Sequence, residues 1–450
     1  MIKLYPYQEA NATALVSALS EYRAVLDASD TGVGKTMVAL GVAKELGVEP
    51  LILCPKSVIT SWKQASKGMG VEPLGILNIE KLKTGKTPYL KTSTKISNRG
   101  KKTKVFTWTL PRGTFLIWDE VQNASSYDSQ NSEILALTRA YGINTLAMSA
   151  TIGNDPTKLK ALGYLLGLHC YKDHYSWCMA NGCHKGRWGG IAFTTNSTIA
   201  EINLTRIHKQ IFPDRGVRTR VSELDTFPEN AIFADAYDMA QHKAEINKIY
   251  QELDDAISNP DEEQNPLVLQ LRTRQRVEAC KVPLLKEMTV DLLDEKKSVV
   301  IFVNFKDTLA QLTQALKGAH PLSEKCSLIY GGQKQSERDE AIRLFQADEN
   351  RVLVCMIQAG GVGISLHDMH GNHPRVTLIC PTFHAVQLKQ ALGRTPRSGG
   401  KSKCIQRLIF AAGTIEEKAC SSVKTKLSNL SLLNDGDLSG GLHFAPQDSG

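Results

Sequence analysis

Short apolar runs alternate with segments of helical periodicity along most of the chain. In the first half, this pattern predicts a helix over residues 8–21 and apolar strands at 24–28, 50–55, 114–118 and 145–149. In the second half, it predicts strands at 298–303, 326–330, 351–356 and 376–380, with a helix after the first of them that ends near Lys317. Strands that are apolar throughout and alternate with helices form parallel sheets covered on both faces. The predicted fold class is therefore α/β, with two tandem domains.

The expected domain boundaries follow from where this pattern is interrupted. The first domain is expected over residues 1–228 and the second over residues 298–434. Between them, residues 229–297 are rich in Glu, Gln, Lys and Leu and predict a helical connector. Residues 435–450 are rich in Gly, Asp and Ser and predict a flexible tail.

An insertion at about residues 83–112 departs from the α/β pattern. Residues 89–96 and 105–110 favour strands, and the turn signal between them predicts a β-hairpin. From Lys81 to Trp118 there are ten basic residues and no acidic residue, against a net charge of +8 for the whole chain. Such a cationic field suits a nucleic acid. A solvated charged loop is the alternative.

Candidate contacts to nucleic acid lie in this insertion. Its aromatic side chains (Tyr89, Phe106 and Trp108) either form a wedge that stacks on a base pair or pack the hairpin onto its domain. Both interpretations remain open from the sequence. The candidate residues of the insertion are Lys95, Arg99, Lys101, Lys102, Lys104 and Trp108.

Composition narrows the class of protein further. Hydrophobic residues make up 42% and charged residues 22% of the chain, which is typical of a globular protein. No apolar run approaches the roughly 18 residues of a membrane span, and the N-terminus has no apolar signal region. The ten cysteines include no CxxC pair, which favours a reducing compartment. We therefore expect a cytoplasmic protein with no membrane partner.

One cluster of histidine and cysteine residues has the residue types of a zinc site. Its spacing matches no usual zinc motif, so a chance grouping in a helical core is the alternative. The cluster consists of His169, Cys170, His174, Cys178, Cys183 and His184.

The clearest chemical motif is a glycine-rich loop between a predicted strand and a predicted helix. Glycines allow the backbone N–H groups to converge on phosphate oxygens, and the helix N-terminus adds a positive partial charge. Lys35 is expected to reach the β- and γ-phosphates of a nucleotide, and Thr36 to hold Mg²⁺. The loop consists of Ser29, Asp30, Thr31, Gly32, Val33, Gly34, Lys35 and Thr36.

An acidic pair, Asp119 and Glu120, follows the strand at 114–118, about 80 residues after the loop. Parallel strands bring their carboxyl ends to the edge of the sheet where nucleotides bind. Asp119 is expected to hold Mg²⁺, and Glu120 to polarise the water that attacks the γ-phosphate. This spacing makes the pair a specific signal of phosphoryl chemistry.

Two further segments complete the set of candidates. Residues 149–151 (Ser-Ala-Thr) end an apolar strand, where they either link the nucleotide site to a neighbouring surface or cap the strand. Residues 390–397 carry Gln390 and two arginines, Arg394 and Arg397, at a predicted helix end. Arginine donates in a rigid fork that suits phosphate. Supplied from a second domain, it completes the site only when the domains close.

Taken in chain order, these segments resemble the motifs of superfamily-two helicases and translocases. Gln8 lies where that family has a glutamine that reads adenine, and Lys56 and Ser57 lie in its motif Ia with Trp62 nearby. The other matches are motif one at 29–36, motif two at 119–122, motif three at 149–151, motif four at 300–305, motif five at 358–366 and motif six at 390–397. Residues 149–156, 330–333 and 413–417 resemble the Snf branch, and the compact chain resembles bacteriophage DNA helicases that migrate branched junctions.

This resemblance implies two RecA-like domains with ATP and Mg²⁺ between them and DNA across their tops. In motif five, the resemblance implies that Gly361 and Gly363 both contact nucleic acid. It also implies that Gly363 contacts the nucleotide. The implied activity is a monomeric, ATP-dependent DNA helicase that remodels branched DNA in recombination, repair or replication. The alternatives are a Snf-like translocase that strips proteins from duplex DNA and a DNA-binding module with a decayed nucleotide site. The intact Lys35, Glu120 and Arg394 argue against the last of these.

Overall fold

The computed structural model describes residues 2–96, 102–186, 189–225, 227–239, 242–258, 266–360, 364–382, 384–397, 399–414 and 416–435. These residues form two compact units. The first unit extends to Glu223 and also contains Ser428–Asp435 from the end of the described chain. The second unit extends from Leu224 to Leu427.

The predicted alternation of strands and helices is present in both units. The helices in chain order are α1 (Pro6–Glu21), α2 (Lys35–Glu45), α3 (Ile59–Met69), α4 (Ile79–Leu82), α5 (Gln130–Ala140), α6 (Lys160–Leu166), α7 (His174–Ala180), α8 (Ser197–Ile211), α9 (Lys243–Ser258), α10 (Pro266–Ala279), α11 (Val282–Asp294), α12 (Lys306–Leu316), α13 (Gln335–Gln346), α14 (Ile357–Gly360), α15 (Ala385–Leu392) and α16 (Glu416–Asp435). The strands are β1 (Ala24–Asp27), β2 (Pro50–Leu53), β3 (Gly75–Leu77), β4 (Leu90–Ile96), β5 (Lys102–Trp108), β6 (Phe115–Asp119), β7 (Asn144–Met148), β8 (Cys183–Lys185), β9 (Ile191–Phe193), β10 (Gly216–Val217), β11 (Asn230–Tyr237), β12 (Ser298–Val303), β13 (Cys326–Ile329), β14 (Val352–Met356), β15 (Arg375–Ile379) and β16 (Cys404–Ala411).

The central sheet of the first unit is parallel, with strand order β10-β1-β7-β6-β2-β3. Successive residues of β6 enter two different cores. Phe115 and Ile117 pack in one, and Leu116 and Trp118 pack in the other. Because side chains alternate between the two faces of a strand, a sheet that is buried on both faces needs an unbroken apolar run. This explains why the strand pattern was visible in the sequence.

The sheet of the second unit is also parallel, with strand order β11-β16-β15-β12-β14-β13. Here the structure corrects the expectation that residues 229–297 are a helical connector throughout. They begin with β11, which pairs with β16 from Asn230 opposite Cys404 to Tyr237 opposite Ala411. The segment is rich in Ala and lies at the sheet edge, so its local sequence did not reveal a strand that long-range pairing creates.

The C-terminal boundary also differs from the expectation. The flexible tail was expected from residue 435, whereas Asn434 and Asp435 are the last residues of α16 and are buried in the first unit. The remainder of that tail, residues 436–450, lies outside the described residues.

The β-hairpin is present as β4 and β5, which pair antiparallel from Leu90 opposite Trp108 to Ile96 opposite Lys102. Its turn, residues 97–101, lies outside the described residues. At the base of the hairpin, Leu90, Phe106 and Trp108 are buried in the core of the first unit. Tyr89 packs against the same core, and its hydroxyl donates to the Leu74 carbonyl oxygen at 2.6 Å. The aromatic side chains therefore attach the hairpin to the domain.

This packing leads to a stability prediction. Phe106→Ala should lower the free energy of unfolding of the first unit by about 3–5 kcal/mol, because it opens a cavity in a packed core. Thr107→Ala, the exposed neighbour on the same strand, should change that free energy by no more than about 0.5 kcal/mol. Denaturant unfolding of the two variants checks the difference. Equal stability would show that the hairpin is not anchored by its aromatic base.

Candidate functional site

The glycine-rich loop connects the end of β1 to the start of α2. Gly32 and Gly34 have φ values of 95° and 91°, in the left-handed region that favours glycine. The Gln8 side chain packs against this loop, and its Nε2 donates to the Val33 carbonyl oxygen at 3.0 Å. The Tyr7 hydroxyl donates to the same oxygen at 2.8 Å. The segment expected to read adenine thus lies directly against the loop expected to hold phosphate.

Lys35 is the first residue of α2, and its ammonium group folds back into the loop. Its Nζ donates to the carbonyl oxygens of Ser29 at 2.7 Å and Asp30 at 3.0 Å. Burial lowers the pKa of Lys35, and the surrounding carboxylates of Asp27, Glu120, Asp119 and Asp30 oppose that shift. A buried lysine that points into a loop of backbone N–H groups at a helix N-terminus is suited to bind a phosphate group.

The acidic pair lies at the carboxyl end of β6, as predicted from the sequence. Burial raises the pKa of Asp119 to about 7, and the neighbouring Glu120 contributes to that rise. The Trp62 indole Nε1 donates to Asp119 Oδ2 at 3.0 Å. Glu120 has a left-handed φ of 55°, and its carboxylate accepts a hydrogen bond from Gln122. These contacts fix both carboxylates beside Lys35.

Sequence reasoning missed the contact between Trp62 and Asp119. The tryptophan lies on α3, and its side chain is 1% exposed. An aromatic residue on an amphipathic helix is usually a core residue, so its position gave no sign that the indole N–H binds the acidic pair. A cavity of about 170 Å³ next to the pair connects it to motif Ia, with a lining that includes Lys56, Asn78, Asp119 and Glu120.

Motif three forms a cap at the end of β7. The Thr151 amide donates to Ser149 Oγ at 2.9 Å, and the Ser149 amide donates to the Asp27 carbonyl oxygen at 3.1 Å. Ser149 and Thr151 are fully buried. The strand-end cap, one of the two interpretations left open by the sequence, is therefore what the contacts show.

The arginines of motif six lie in the second unit, after α15. Arg394 Nη1 and Arg397 Nη2 donate to the Ile364 carbonyl oxygen at 3.3 and 3.0 Å. Gln390 and Arg394 are buried, and Arg397 is half-buried. The structure thus brings the two arginines together at the end of motif five. Gly361 and Gly363 of that motif lie outside the described residues.

The candidate nucleic-acid contacts differ in exposure. Lys56, Lys95, Lys102 and Lys104 are exposed, and Ser57 is half-buried. Trp108 is only 4% exposed. This burial corrects the expectation that Trp108 stacks on nucleic acid, because its ring is used in the core beneath the hairpin. Arg99 and Lys101 lie outside the described residues.

This chain is similar to a known protein along most of its length. The helicase conserved C-terminal domain matches residues 280–399. A protein of Acanthamoeba polyphaga mimivirus named "Putative ATP-dependent RNA helicase L364" is 35% identical over 465 residues, covering 97% of this chain and 85% of the viral protein. The chain belongs to the superfamily-two helicases. Membership of this family implies an enzyme that uses ATP.

Two more distant similarities concern parts of the chain or its fold. Chromatin remodeling factor mit1 of Schizosaccharomyces pombe is 28% identical over 200 residues, covering 42% of this helicase and 13% of that protein. The structure of S. cerevisiae Dbp5 bound to RNA and ADP BeF3 has 13% identity and a TM-score of 0.50, covering 93% of this helicase and 87% of that chain. The latter likeness concerns the fold alone. The predicted α/β fold with two RecA-like domains is confirmed.

The oxygen atoms at the loop and the acidic pair fit Mg²⁺ bound with a nucleotide. Mg²⁺ prefers oxygen ligands such as carboxylates, together with phosphates. The helicase offers the Thr36 hydroxyl in the first turn of α2 and the Asp119 carboxylate at the end of β6. The raised pKa of Asp119 reflects a buried carboxylate next to a second one, an arrangement that a cation stabilises. Thr36 and Asp119 are therefore the residues that would hold the metal.

The histidine and cysteine cluster is only partly buried in this helicase, with Cys170 and His184 exposed. The two ring nitrogens of His169 lie 3.0 and 3.2 Å from the carbonyl oxygens of Cys170 and Leu159. Buried His174 has its Nε2 3.3 Å from the Pro156 carbonyl oxygen and 3.4 Å from Cys178 Sγ. Within the described part of the chain, the close group of three possible metal ligands is a different one, His242, Glu245 and Cys280. The zinc interpretation of the cluster is therefore not supported.

Across the described residues, this helicase has no helix whose length and apolar character would let it cross a bilayer.

The close approach of Gln8 to the loop gives a test of the nucleotide site. Gly34→Ala places a Cβ in the left-handed region, at a cost of about 1–2 kcal/mol, and that Cβ would overlap Gln8 Nε2. We expect ATP binding to weaken at least tenfold, measured by titration with a fluorescent ATP analogue. Gly47→Ala is the control, because Gly47 also has a positive φ, 66°, but a Cβ there meets no atom within 4 Å. Equal affinity in the two variants would contradict the assignment.

Proposed function

We propose that this helicase is an ATP-driven DNA motor that remodels branched DNA, by branch migration, fork regression or junction unwinding. The observation that carries the proposal is the meeting of Lys35 with Asp119 and Glu120 at one edge of a parallel sheet. These are the groups needed to bind and hydrolyse a nucleoside triphosphate.

The proposed hydrolysis divides the work among the residues of the first unit. Lys35 exchanges its carbonyl partners for phosphate oxygens, and Gln8 contacts the adenine. Glu120 accepts a proton from the attacking water, which its fixed orientation favours. Thr36 and Asp119 would hold Mg²⁺, which would neutralise negative charge on the phosphates.

The second unit supplies the arginines in this proposal. Arg394 and Arg397 stabilise the negative charge that develops on the transferred phosphoryl group. In related phosphoryl-transfer enzymes an arginine of this kind contributes about 10³–10⁵ in rate. Hydrolysis then depends on closure of the two domains, and nucleic acid that favours the closed state accelerates it. Cycles of domain closure and opening move the protein along the nucleic acid.

DNA is the proposed substrate because of the hairpin and the Snf-like motifs. Lys102 and Lys104 precede the buried Phe106 and share its face of β5, and Lys91 and Lys95 lie on the opposite face of the hairpin. Both faces of its outer part are therefore cationic. Contacts to phosphate fix position without reading sequence, as a motor that crosses any sequence requires. The partial similarity to a chromatin remodeling factor favours duplex DNA.

Two other substrates have specific support. RNA is favoured by the mimivirus relative, which is named as an RNA helicase. DNA in chromatin, and with it the alternative of displacing proteins from duplex DNA, is favoured by the similarity to mit1, which is named as a chromatin remodeling factor. The proposal for branched DNA rests on the hairpin insertion, whose outer part offers exposed lysines on both faces.

The deciding experiment measures ATP hydrolysis with single-stranded, duplex, forked and four-way DNA, and with single-stranded and duplex RNA. We expect the largest stimulation with forked or four-way DNA. Lys35→Ala and Glu120→Gln should abolish turnover and retain nucleic-acid binding, and Arg394→Ala should reduce turnover more than ATP affinity. Stimulation of ATP hydrolysis by RNA but not by DNA would show that the substrate is RNA. Stimulation by plain duplex, without strand displacement or junction migration, would favour the protein-stripping translocase.

The role of the hairpin is tested through the salt dependence of DNA binding. Replacing Lys95, Lys102 and Lys104 with Ala should weaken binding and reduce the slope of log affinity against log salt by about 0.9 per lost phosphate contact on duplex DNA. The matched control replaces Lys209, Lys286 and Lys325, which are exposed elsewhere on the protein, and removes the same charge. If the two triple variants lose the same DNA affinity and the same salt dependence, only net charge matters and the hairpin is a solvated loop.

A further inference from the structure

The start of the phosphate loop is held by a second segment of the first unit, residues 216–221, which follows α8. The Ala28 amide donates to the Val217 carbonyl oxygen and the Asp30 amide to the Thr219 carbonyl oxygen, both at 2.9 Å. The Thr219 amide donates to Ser29 Oγ at 3.1 Å. This segment therefore continues the parallel pairing of β1 with β10 into the loop itself.

Arg218, in the middle of this segment, connects the loop to the end of the described chain. Its guanidinium donates in three directions. Nη1 reaches the Ala28 carbonyl oxygen at 2.6 Å, Nη2 reaches Asp30 Oδ1 at 2.7 Å, and Nε reaches Asp435 Oδ1 at 2.6 Å. The Arg218 side chain is 7% exposed, and that of Asp435 is fully buried. The arginine thus links a carboxylate of the phosphate loop to a carboxylate at the end of α16.

The end of α16 is fixed to the first unit by several other contacts. Asn434 Nδ2 donates to the Ala150 carbonyl oxygen of motif three at 3.2 Å, and its Oδ1 accepts from the Ile152 amide at 3.4 Å. Arg220 Nη2 donates to the Asp435 backbone carbonyl oxygen at 2.8 Å. Leu432 and Leu433 are buried in the core of the first unit. The carboxyl end of the helix therefore contacts the elements on both sides of the nucleotide site.

The position of Asp435 is electrostatically unfavourable without the arginines. A helix C-terminus carries negative partial charge and disfavours an acid, and burial of an unpaired carboxylate is costly. Two guanidinium groups, those of Arg218 and Arg220, compensate here. A buried ion pair of this kind contributes little net stability compared with an apolar pair, and its attested use is to specify one arrangement. The arrangement specified here is that of the Arg218 fork, which in turn holds Asp30.

We propose that Asp435 is a positioning residue for ATP binding, which acts on the phosphate loop through Arg218 and Asp30. Docking of the end of α16 orients the guanidinium, and the guanidinium holds the Ala28 carbonyl oxygen and the Asp30 carboxylate at the entrance to the loop. Nucleotide affinity thereby depends on a residue about 400 positions from the loop. The inference rests on the proposed use of this loop for ATP and does not depend on the nucleic acid that the motor follows.

The test is a double-mutant cycle on nucleotide affinity, with a fluorescent ATP analogue and Mg²⁺ as the probe. We expect Asp435→Asn and Asp30→Asn each to raise the dissociation constant at least fivefold. The dissociation constant of the double variant should lie within about twofold of that of the weaker-binding single variant, because both carboxylates act through one guanidinium. In steady-state hydrolysis, Asp435→Asn should raise KM by a similar factor and change kcat less than twofold. A general loss of structure would not produce this split.

Asp348→Asn is the matched control. It removes a comparable buried pair, Arg375 with Asp348 at 2.6 Å, in the second unit, and its nucleotide affinity should equal that of the wild type. Arg218→Lys provides a second variant if Asp435→Asn does not fold. Lysine keeps the charge but cannot bind all three acceptors in the planar geometry of the fork, so its affinity should also fall at least fivefold.

Each other result overturns the inference. Unchanged nucleotide affinity in folded Asp435→Asn or Arg218→Lys would show that α16 does not position the loop. Additive effects in the double variant would show that Asp435 and Asp30 act independently. Failure of the wild type itself to bind the nucleotide would refute the proposed function as well, and it is distinguished from the other outcomes because no substitution is involved.

Discussion

The first unit depends on the placement of one ammonium group, that of Lys35, in an interior that disfavours charge. Its pKa is lowered by burial, and carbonyl oxygens of the loop and nearby carboxylates hold it in place. This arrangement requires the left-handed glycines that bend the loop. It also requires the parallel sheet, which brings the carboxyl ends of β1 and β6, the strands on either side of β7, to the same edge. The same sheet edge positions Asp119 and Glu120, and the Trp62 indole N–H donates a hydrogen bond to Asp119. The chemistry assigned to this edge of the sheet follows from these charges and their partners.

Much of this unit could be predicted from the sequence because its signals are local. The runs that became β1, β2, β6 and β7 are apolar on both faces, and the glycine-rich loop lies between a strand and a helix. Features that depend on distant partners were missed. Strand β11 exists through its pairing with β16, and the burial of Asp435 depends on Arg218, more than 200 residues earlier. Neither partner can be identified from local periodicity.

The hairpin shows how one pattern supported two interpretations that only packing could separate. Its aromatic residues alternate with polar ones, which fits both a stacking surface and an anchored base. The structure buries Phe106 and Trp108 and leaves Lys102 and Lys104 exposed, so the apolar part is structural and the cationic part is the available surface. In the same way, the histidine and cysteine cluster has zinc-like composition, but its ring nitrogens face backbone carbonyl oxygens.

The proposed activity requires that Lys35 and the acidic pair form a single site for a magnesium–nucleotide. The most direct measurement is calorimetric titration of ATP with and without Mg²⁺, on the wild type and on Asp119→Asn. The account predicts one ATP per chain, with an affinity that Mg²⁺ increases in the wild type and leaves unchanged in the variant. Binding that responds equally to Mg²⁺ in both proteins would contradict it.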